Sequence, residues 1–439
     1  MIQKMKGTYD ITDDIGFYQE IEKVIRKVSR LYNVKEIRTP HFENRELFHR
    51  SVGEHSDIVS KETYDFEDRG GRVNTLRPEG TAGIVRALIE NKLYADPRVP
   101  LKRYYIGSMF RYERPPKKVV FREFRQFGAE SFGSSHPLHQ DGEMIDYAMN
   151  VLRALKLKNV RVHINSLGGT ASKSAYKDAL KAHIEPHLET LCRECQIRFE
   201  TNPLRMLDCK KDKDKDVLKT APRTFDYLNE DDSAHFEALK RYLDAMKISY
   251  TVDHSLVRGL DYYTHTVFEL QVSEALLGQQ NAICGGGRYN TLVEDLDGPP
   301  TPAFGFAFGI ERLIVALKEN GFTPPSPSLH AYFIIMGDEA REKAMGLMHR
   351  LRTGGITCDA DFTKRSMKAQ FKQSARHNAR FAVIIGEEEV AQNTLNLKDQ
   401  REATEDTIPM NDLYITLMER LTRNTNGSCK DCSEKGDSQ

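Results

Sequence analysis

The sequence predicts an α+β catalytic-type unit, an antiparallel sheet flanked by helices and carrying a helical insertion, followed by an independent α/β domain with a mixed sheet. Three observations predict it. Pairs of extended segments are joined by tight turns, with helices inserted singly between the pairs. Residues 321–328, "GFTPPSPS", hold three prolines and two serines and mark a linker. Beyond the linker, strand and helix patterns alternate.

Bulk properties bound the reading. At 439 residues and 39% hydrophobic content the chain is long enough for two or three domains with their own cores. Charged residues make up 29% and cancel to zero net charge, which argues against a polymer-coating protein, so any polyanion must be read by local basic patches. Seven cysteines, no apolar run approaching about 18 residues and no signal-peptide pattern at the N-terminus imply a reduced, cytoplasmic setting and no membrane role.

Residues 15–32 repeat apolar positions at helical spacing through Ile21, Val24, Ile25, Val28 and Leu31. Residues 34–42 read as extended but are interrupted by Pro40, which suits a strand end or an edge. Residues 63–76 form a hairpin pattern about Gly70-Gly71, and a helix follows over 81–93. Residues 101–130 supply a second strand pair and 141–155 an amphipathic helix. From 171 to 247 the pattern is helical and very polar, with "KKDKDKD" at 210–216, an inserted subdomain within a core of residues 1–320. Strand signals return at 250–272 and 282–296, and a helix opens near Gly309. After the linker, residues 329–421 form the second domain, and residues 422–439 lack apolar periodicity and read as a disordered tail.

Chemistry concentrates in the strand pair. On one face of 120–130 fall Val120, Arg122, Phe124, Gln126, Gly128 and Glu130, while Phe121, Glu123, Arg125 and Phe127 take the other. This pattern fits either a solvated ribbon with cross-strand ion pairs or a floor on which arginines grip phosphate and Gln126 and Glu130 orient a small ligand. "LRPEGT", 76–81, sets Glu79 and Thr81 at a helix mouth, as ammonium ligands or, for Thr81, as a cap. "LVRGLDYYTHTVFEL", 256–270, runs from an Arg-Gly pair into a strand whose Tyr262 and Tyr263 should point to opposite faces, only one of them into the core. "CGGGRYN", 284–290, either admits a ligand close to backbone or marks a bend. "FGFAFGIERL", 304–313, places Arg312 one turn into a helix. Neither a Walker loop nor a strand-following GxGxxG occurs, so phosphate handling falls to arginines.

These stretches together resemble the class II aminoacyl-tRNA synthetases, and within them the bacterial-type histidyl-tRNA synthetases, over nearly the whole chain to about residue 421. The Pro40 stretch is similar to motif 1, residues 105–130 to motif 2 and residues 304–313 to motif 3, while "LVRGLDYYTHTVFE" and "GGGRY" carry the histidine-specific signatures. The resemblance implies a homodimer built through motif 1. It implies Arg111 on the α-phosphate and substrate carboxylate, Glu113 and Arg122 facing ATP, Phe124 stacking on adenine and Arg312 on the γ-phosphate. Glu79, Thr81 and Gln126 would bind the α-ammonium of histidine. Glu130 and Tyr263 would bind opposite imidazole nitrogens, with Tyr262 beside them. Arg258 would sit between carboxylate and α-phosphate. Mg2+ would arrive with ATP, the insertion would lean on the acceptor end of tRNA(His), and the domain from 329, with Lys364, Arg365 and Lys368, would bind the anticodon arm.

Two competing classes are a non-catalytic histidine-sensing relative, opposed by the presence of Arg258, Arg312 and the second domain, and a plain RNA-binding module. The chain departs from the family pattern at "KKVVF", 117–121, where a loop arginine is usual, and at Arg125, often a histidine. Cys192, Cys195 and Cys209, with His187 as a fourth candidate, give one CxxC and a later cysteine. That is too little to predict zinc, and Cys429 and Cys432 lie in the tail. No resident metal is expected.

Overall fold

The computed structural model describes residues 1–53, 56, 58–112, 121–134, 137–207, 209, 211–212, 214–273, 277, 281–325 and 328–423. Glu113, the loop residues 117–120 and the tail cysteines therefore lie outside the described residues. The chain forms two compact units, Met1–Pro324 and Pro325–Gln439. Among the described residues no helix is long and apolar enough to cross a membrane.

The first unit opens with α1, Ile15–Leu31, which buries Ile21, Ile25 and Val28 of the stripe its spacing predicts; Val24 is only half-buried and Leu31, at the helix end, is exposed. The extended run after it splits at Pro40 into β1, Lys35–Glu36, and β2, Phe42–Asn44, because proline cannot donate to a ladder. Asn44 caps α2, Arg45–Val52, by accepting from the Glu46 N–H. The hairpin of β3, Tyr64–Glu67, and β4, Val73–Leu76, joins β2 in a small antiparallel sheet. Next come α3, Thr81–Glu90, then β5, Leu101–Phe110, β6, Glu123–Phe132, and α4, Pro137–Ala154. The remaining strands of this unit are β7, Arg161–Ser166, β8, Tyr250–Val252, β9, Thr264–Gln271, β10, Ala282–Arg288, and β11, Ala303–Gly309.

Eight strands form the main sheet in the order β1-β5-β6-β11-β10-β9-β7-β8. The six inner strands run antiparallel, and only the edge pairs β1–β5 and β7–β8 are parallel. The triple glycine of 285–287 is neither hairpin nor bend: it lies within β10, paired on both sides. The extended signal over 282–296 ends at Arg288, and a short helix, Leu292–Asp295, follows.

One sheet face is aromatic and aliphatic. Phe127, Phe268, Phe304, Phe306 and Phe308 pack there against α1, α4 and the helix Ile310–Glu319. Burying side chains of this size stabilises by roughly 1.5–3 kcal/mol each. The helix Glu230–Ala245 also joins this core through Phe236, Leu239 and Leu243. Arg288, fully buried at the end of β10, is paired with the equally buried Asp141 of α4, and Asp141 also meets His235 Nε2 at 3.1 Å. This network ties two helices to the sheet.

The second unit is a five-stranded mixed sheet in the order β13-β12-β14-β15-β16, where β12 is Ala331–Ile335, β13 Cys358–Ala360, β14 Phe381–Ile385, β15 Thr394–Asp399 and β16 Thr404–Pro409. The first three are parallel and the last two antiparallel. The alternating part matches the sequence pattern. The β15–β16 hairpin is added by the structure: β15 alternates, burying Leu395 and Leu397, while β16 is polar and largely exposed.

Candidate active site

On the second face of the main sheet, glycine and alanine hold the inner positions of β10 and β11, and the larger side chains stand on β5 and β6. Register places Tyr105, Gly107 and Met109 of β5 beside Gly128, Gln126 and Phe124 of β6. Glu130, Gly128 and Gln126 then pair with Gly305, Ala307 and Gly309 of β11, and Ala307 and Gly305 with Gly285 and Gly287 of β10. Small residues occupy most inner positions, so the polar side chains at the margins can lie across the floor. Two glycines leave room for the polar side chains that cross the floor. A Cβ on Gly305 would come within 1.6 Å of Glu130 Oε2, and one on Gly285 within 2.2 Å of the Arg258 guanidinium.

At one end of this floor sits Glu130, only 1% exposed. Its Oε1 accepts from the Thr81 hydroxyl at 2.8 Å, and its Oε2 accepts from the Tyr289 hydroxyl. Burial raises its pKa to about 8, against the lowering effect of those two hydrogen bonds, and the nearby Glu79 adds repulsion. Glu79 caps α3, accepting from the Thr81 N–H at 2.6 Å and the Ala82 N–H at 2.8 Å. The cap is thus Glu79, and the Thr81 side chain is free of that duty because it reaches Glu130 instead. Burial also raises the Glu79 pKa, with those N–H groups and Arg111 pulling the other way.

Tyr262 and Tyr263 depart from the sequence reading. Both are buried, their ring centroids lie 4.7 Å apart, and they precede β9, which begins at Thr264. Two-residue alternation does not apply to them because they belong to the entering loop. Lys173 holds that loop, donating to the Asp261 carbonyl at 3.0 Å and the Tyr263 carbonyl at 2.8 Å. Burial lowers its pKa to about 8, reinforced by Lys177.

Arg258 crosses above Gly285 and pairs with Glu269 of β9. Burial works against its charge, but Glu269 and the surrounding phenols outweigh it and raise the pKa. Further along the floor, Arg111 donates from Nε to the Pro78 carbonyl at 2.9 Å and lies 5.3 Å from the Phe124 ring centre. Arg111 thus lies over the Phe124 ring, which is half-buried and also packs against the neighbouring apolar cluster. Arg122 lies 3.9 Å from the Tyr112 ring centre, and its backbone pairs with that of Arg111. Arg312 donates to the Ala282 carbonyl at 3.2 Å, at the end where β10 begins and β11 stops.

The structure therefore gathers Glu79, Thr81, Gln126, Glu130, Tyr262, Tyr263, Arg258, Arg111 and Phe124 about one face, with Arg122 and Arg312 at its far end. From Glu130 to Phe124 is six residues of strand, about 20 Å at about 3.4 Å per residue. Cations gather toward one end and buried carboxylates and phenols toward the other. Gln126 Oε1, Tyr105 Oη and Arg258 Nε are buried here without a partner in the protein, as expected of groups shaped for a polar ligand. Sequence reasoning missed Tyr289, Tyr105 and Glu269. Tyr289 stands in the quoted "GGGRY", but its partner Glu130 is named only by strand order.

Comparison with known proteins agrees with this architecture. A histidyl-tRNA synthetase family model matches residues 16–313, and an anticodon binding domain model matches residues 330–420. The chain is 46% identical over 419 residues to a histidine-tRNA ligase of Geobacillus sp. (strain WCH70), covering 95% of this chain and 99% of that one. It is likewise 46% identical over 415 residues to a histidine-tRNA ligase of Bacillus subtilis (strain 168), covering 94% and 97%. The crystal structure of apo histidyl-tRNA synthetase from S. aureus superposes with a TM-score of 0.81 at 40% identity, covering 95% of this chain and all of that one. With both family models in sequence on one chain and near full-length identity, this protein belongs to the histidyl-tRNA synthetase family.

Proposed function

We infer that the protein is an ATP-dependent histidine-tRNA ligase, which condenses histidine with ATP to histidyl-adenylate and pyrophosphate and then transfers the histidyl group to the 3′-terminal adenosine of tRNA(His). The observation that carries this reading is the shared floor on which a buried carboxylate-phenol pocket adjoins the Arg258 and Arg111 guanidinium groups.

Histidine's carboxylate is ionised at neutral pH, so its attack on the α-phosphorus needs no base; it needs positioning and cancellation of repulsion between two anions. Arg258 and Arg111 supply both. In this reading Glu130 accepts an imidazole N–H, Tyr263 meets the second ring nitrogen and Tyr262 closes the pocket. Glu79, Thr81 and the unpartnered Gln126 Oε1 receive the α-ammonium. A ligand without two ring nitrogens leaves these buried groups unpaired, which is worth on the order of a hundredfold or more in selectivity. Phe124 stacks on adenine, Arg122 faces the nucleotide and Arg312 grips the outer phosphates. Mg2+ enters with ATP as part of the substrate. Glu113, outside the described residues, keeps its expected role at the nucleotide only by resemblance.

The second unit binds the anticodon arm. Lys364, Arg365 and Lys368 are exposed, beside an exposed Phe362 suited to stacking on an unpaired base. A homodimer forms through the small sheet, where Phe42 and Phe66 are 54% and 41% exposed with ring centres 5.9 Å apart. Sedimentation across a concentration range should give a dimer, and Phe42→Glu should shift it toward monomer; a monomer throughout would remove this part.

The activity test is histidine-dependent ATP–pyrophosphate exchange. The wild-type chain should exchange only with histidine, and Arg258→Ala should lower the rate by about 10²–10³-fold. Absence of exchange in the wild type would overturn the ligase reading.

A further inference from the structure

The helical region between the two halves of the main sheet holds a cluster that the ligase reaction does not use. Helix α5, Thr170–Ile184, is followed by α6, Arg193–Thr201, with Cys192 at the N-cap of α6 and Cys195 one turn in, so both thiols stand at one helix end. The chain then turns through Asn202–Leu207 and returns Cys209 and Asp212 to the same place. The three sulfur atoms and a carboxylate oxygen all lie within 4.8 Å of one another. We propose that Cys192, Cys195, Cys209 and Asp212 form a structural zinc(II) site.

Geometry is the first argument. Cys192 Sγ and Cys209 Sγ are 3.7 Å apart. That matches the edge, about 3.8 Å, of a tetrahedron with zinc–sulfur bonds of about 2.3 Å, and it is far from the about 2.05 Å of a disulfide. Burial is the second. Cys195 and Cys209 are buried and Asp212 is only 2% exposed. Thiols and a carboxylate withdrawn from solvent and gathered at one point are the arrangement a structural metal site needs. The donor set is the third: three soft thiolates with one oxygen suit zinc and disfavour Mg2+ or Ca2+.

Outer contacts fit a ligating carboxylate. Asp212 Oδ2 accepts from the Cys192 N–H at 2.7 Å, and Lys215 Nζ is 2.9 Å from Oδ1, which orients the group and leaves lone pairs for a metal. On binding, the three thiols release their protons to solvent, and the resulting dianionic centre is offset in part by Lys215, whereas Lys211 is already paired with Glu194. The fourth donor is thus Asp212, in place of His187, the residue that sequence spacing suggested; a carboxylate three residues after a lone cysteine does not stand out in a run of alternating Lys and Asp.

The closed loop reaches the active-site entry. Asn202 donates to the Asp261 carboxylate, and Arg205 Nη1 meets the Gly259 carbonyl at 3.4 Å. An ion fixing residues 192–212 would therefore steady the segment that carries Arg258, Tyr262 and Tyr263.

The test reads metal, not catalysis. Full-length protein purified without chelator should carry about one zinc per chain by elemental analysis. Cobalt(II) exchanged into it should give the intense ligand-field bands of a tetrahedral centre and sulfur-to-metal charge transfer. Cys429→Ser with Cys432→Ser should leave both readouts unchanged, while Cys195→Ser should abolish them. Because Cys195→Ser could fail to fold, Asp212→Asn provides the second arm: soluble protein with at least about tenfold weaker metal binding. Protein with neither zinc nor cobalt uptake, metal lost only with the tail cysteines, unchanged affinity in Asp212→Asn, or a Cys192–Cys209 disulfide in freshly purified protein would each overturn the site.

Discussion

Glu130 shows how much one buried carboxyl can govern. Its pKa of about 8 lies well above the about 4.3 of an exposed glutamate, because burial outweighs the hydrogen bonds from Tyr289 and Thr81. The folded chain therefore binds one more proton than the unfolded chain between these values. Stability from this group is present in full below about pH 4.3 and is lost as pH rises through about 8. A ligand N–H directed at Glu130 favours the ionised form, so histidine binding near pH 7 should release a proton and should tighten as pH rises toward 8. Titration calorimetry in two buffers of different ionisation enthalpy measures this release. In Glu130→Gln the release should vanish and the exchange kcat/KM should fall by on the order of a hundredfold. Glu130 was legible from the sequence because alternate residues of a strand share a face, which set it with Gln126 and Phe124. Tyr289 was not, since a hydrogen bond across 159 residues depends on which strands are neighbours.

At the scale of strands, the site depends on missing side chains as much as on those present. Gly285 lies in β10 beneath the Arg258 guanidinium, and a methyl there would meet Nη2 at 2.2 Å. Gly285→Ala should therefore displace Arg258 and reproduce much of the Arg258→Ala loss, about 10²-fold in histidine-dependent exchange, while circular dichroism and the urea midpoint change little, because the obstructing atoms end a flexible side chain. Large loss of folding with unchanged exchange per folded molecule would contradict this account. The extended and helical runs were readable from periodicity, and so was the placing of Arg122, Phe124, Gln126 and Glu130 on one face of their strand. Two features were not. Triple glycine fits a turn as well as a strand interior, and only pairing with β9 and β11 decides. Consecutive tyrosines fit opposite faces of a strand, but a strand that begins one residue later lets both rings turn inward together.

At the scale of the whole chain, two compact units divide two kinds of recognition. The first unit concentrates its site in a buried floor, where charge interactions are little screened by salt; the second presents its cations to solvent, where screening is strong. Activation of histidine and binding of tRNA should consequently respond differently to ionic strength and to surface mutation. Lys364 and Arg365 form only loose ion pairs, at 3.4 Å to Asp338 and 3.9 Å to Asp361, so both can turn to a phosphate at small cost. Replacing Lys364, Arg365 and Lys368 together with alanine should leave histidine-dependent pyrophosphate exchange within about twofold of wild type, because none of the three belongs to the unit that performs it. Binding of tRNA(His) should weaken, and the slope of log Kobs against log salt concentration should become shallower by about 0.7–0.9 for each phosphate contact removed, about 2 to 3 in all if every residue makes one. Filter binding at four or five salt concentrations gives both quantities at once. A slope identical to wild type would mean that these residues form only a solvated face, and the phosphate contacts of the second unit would then have to be sought elsewhere on its surface.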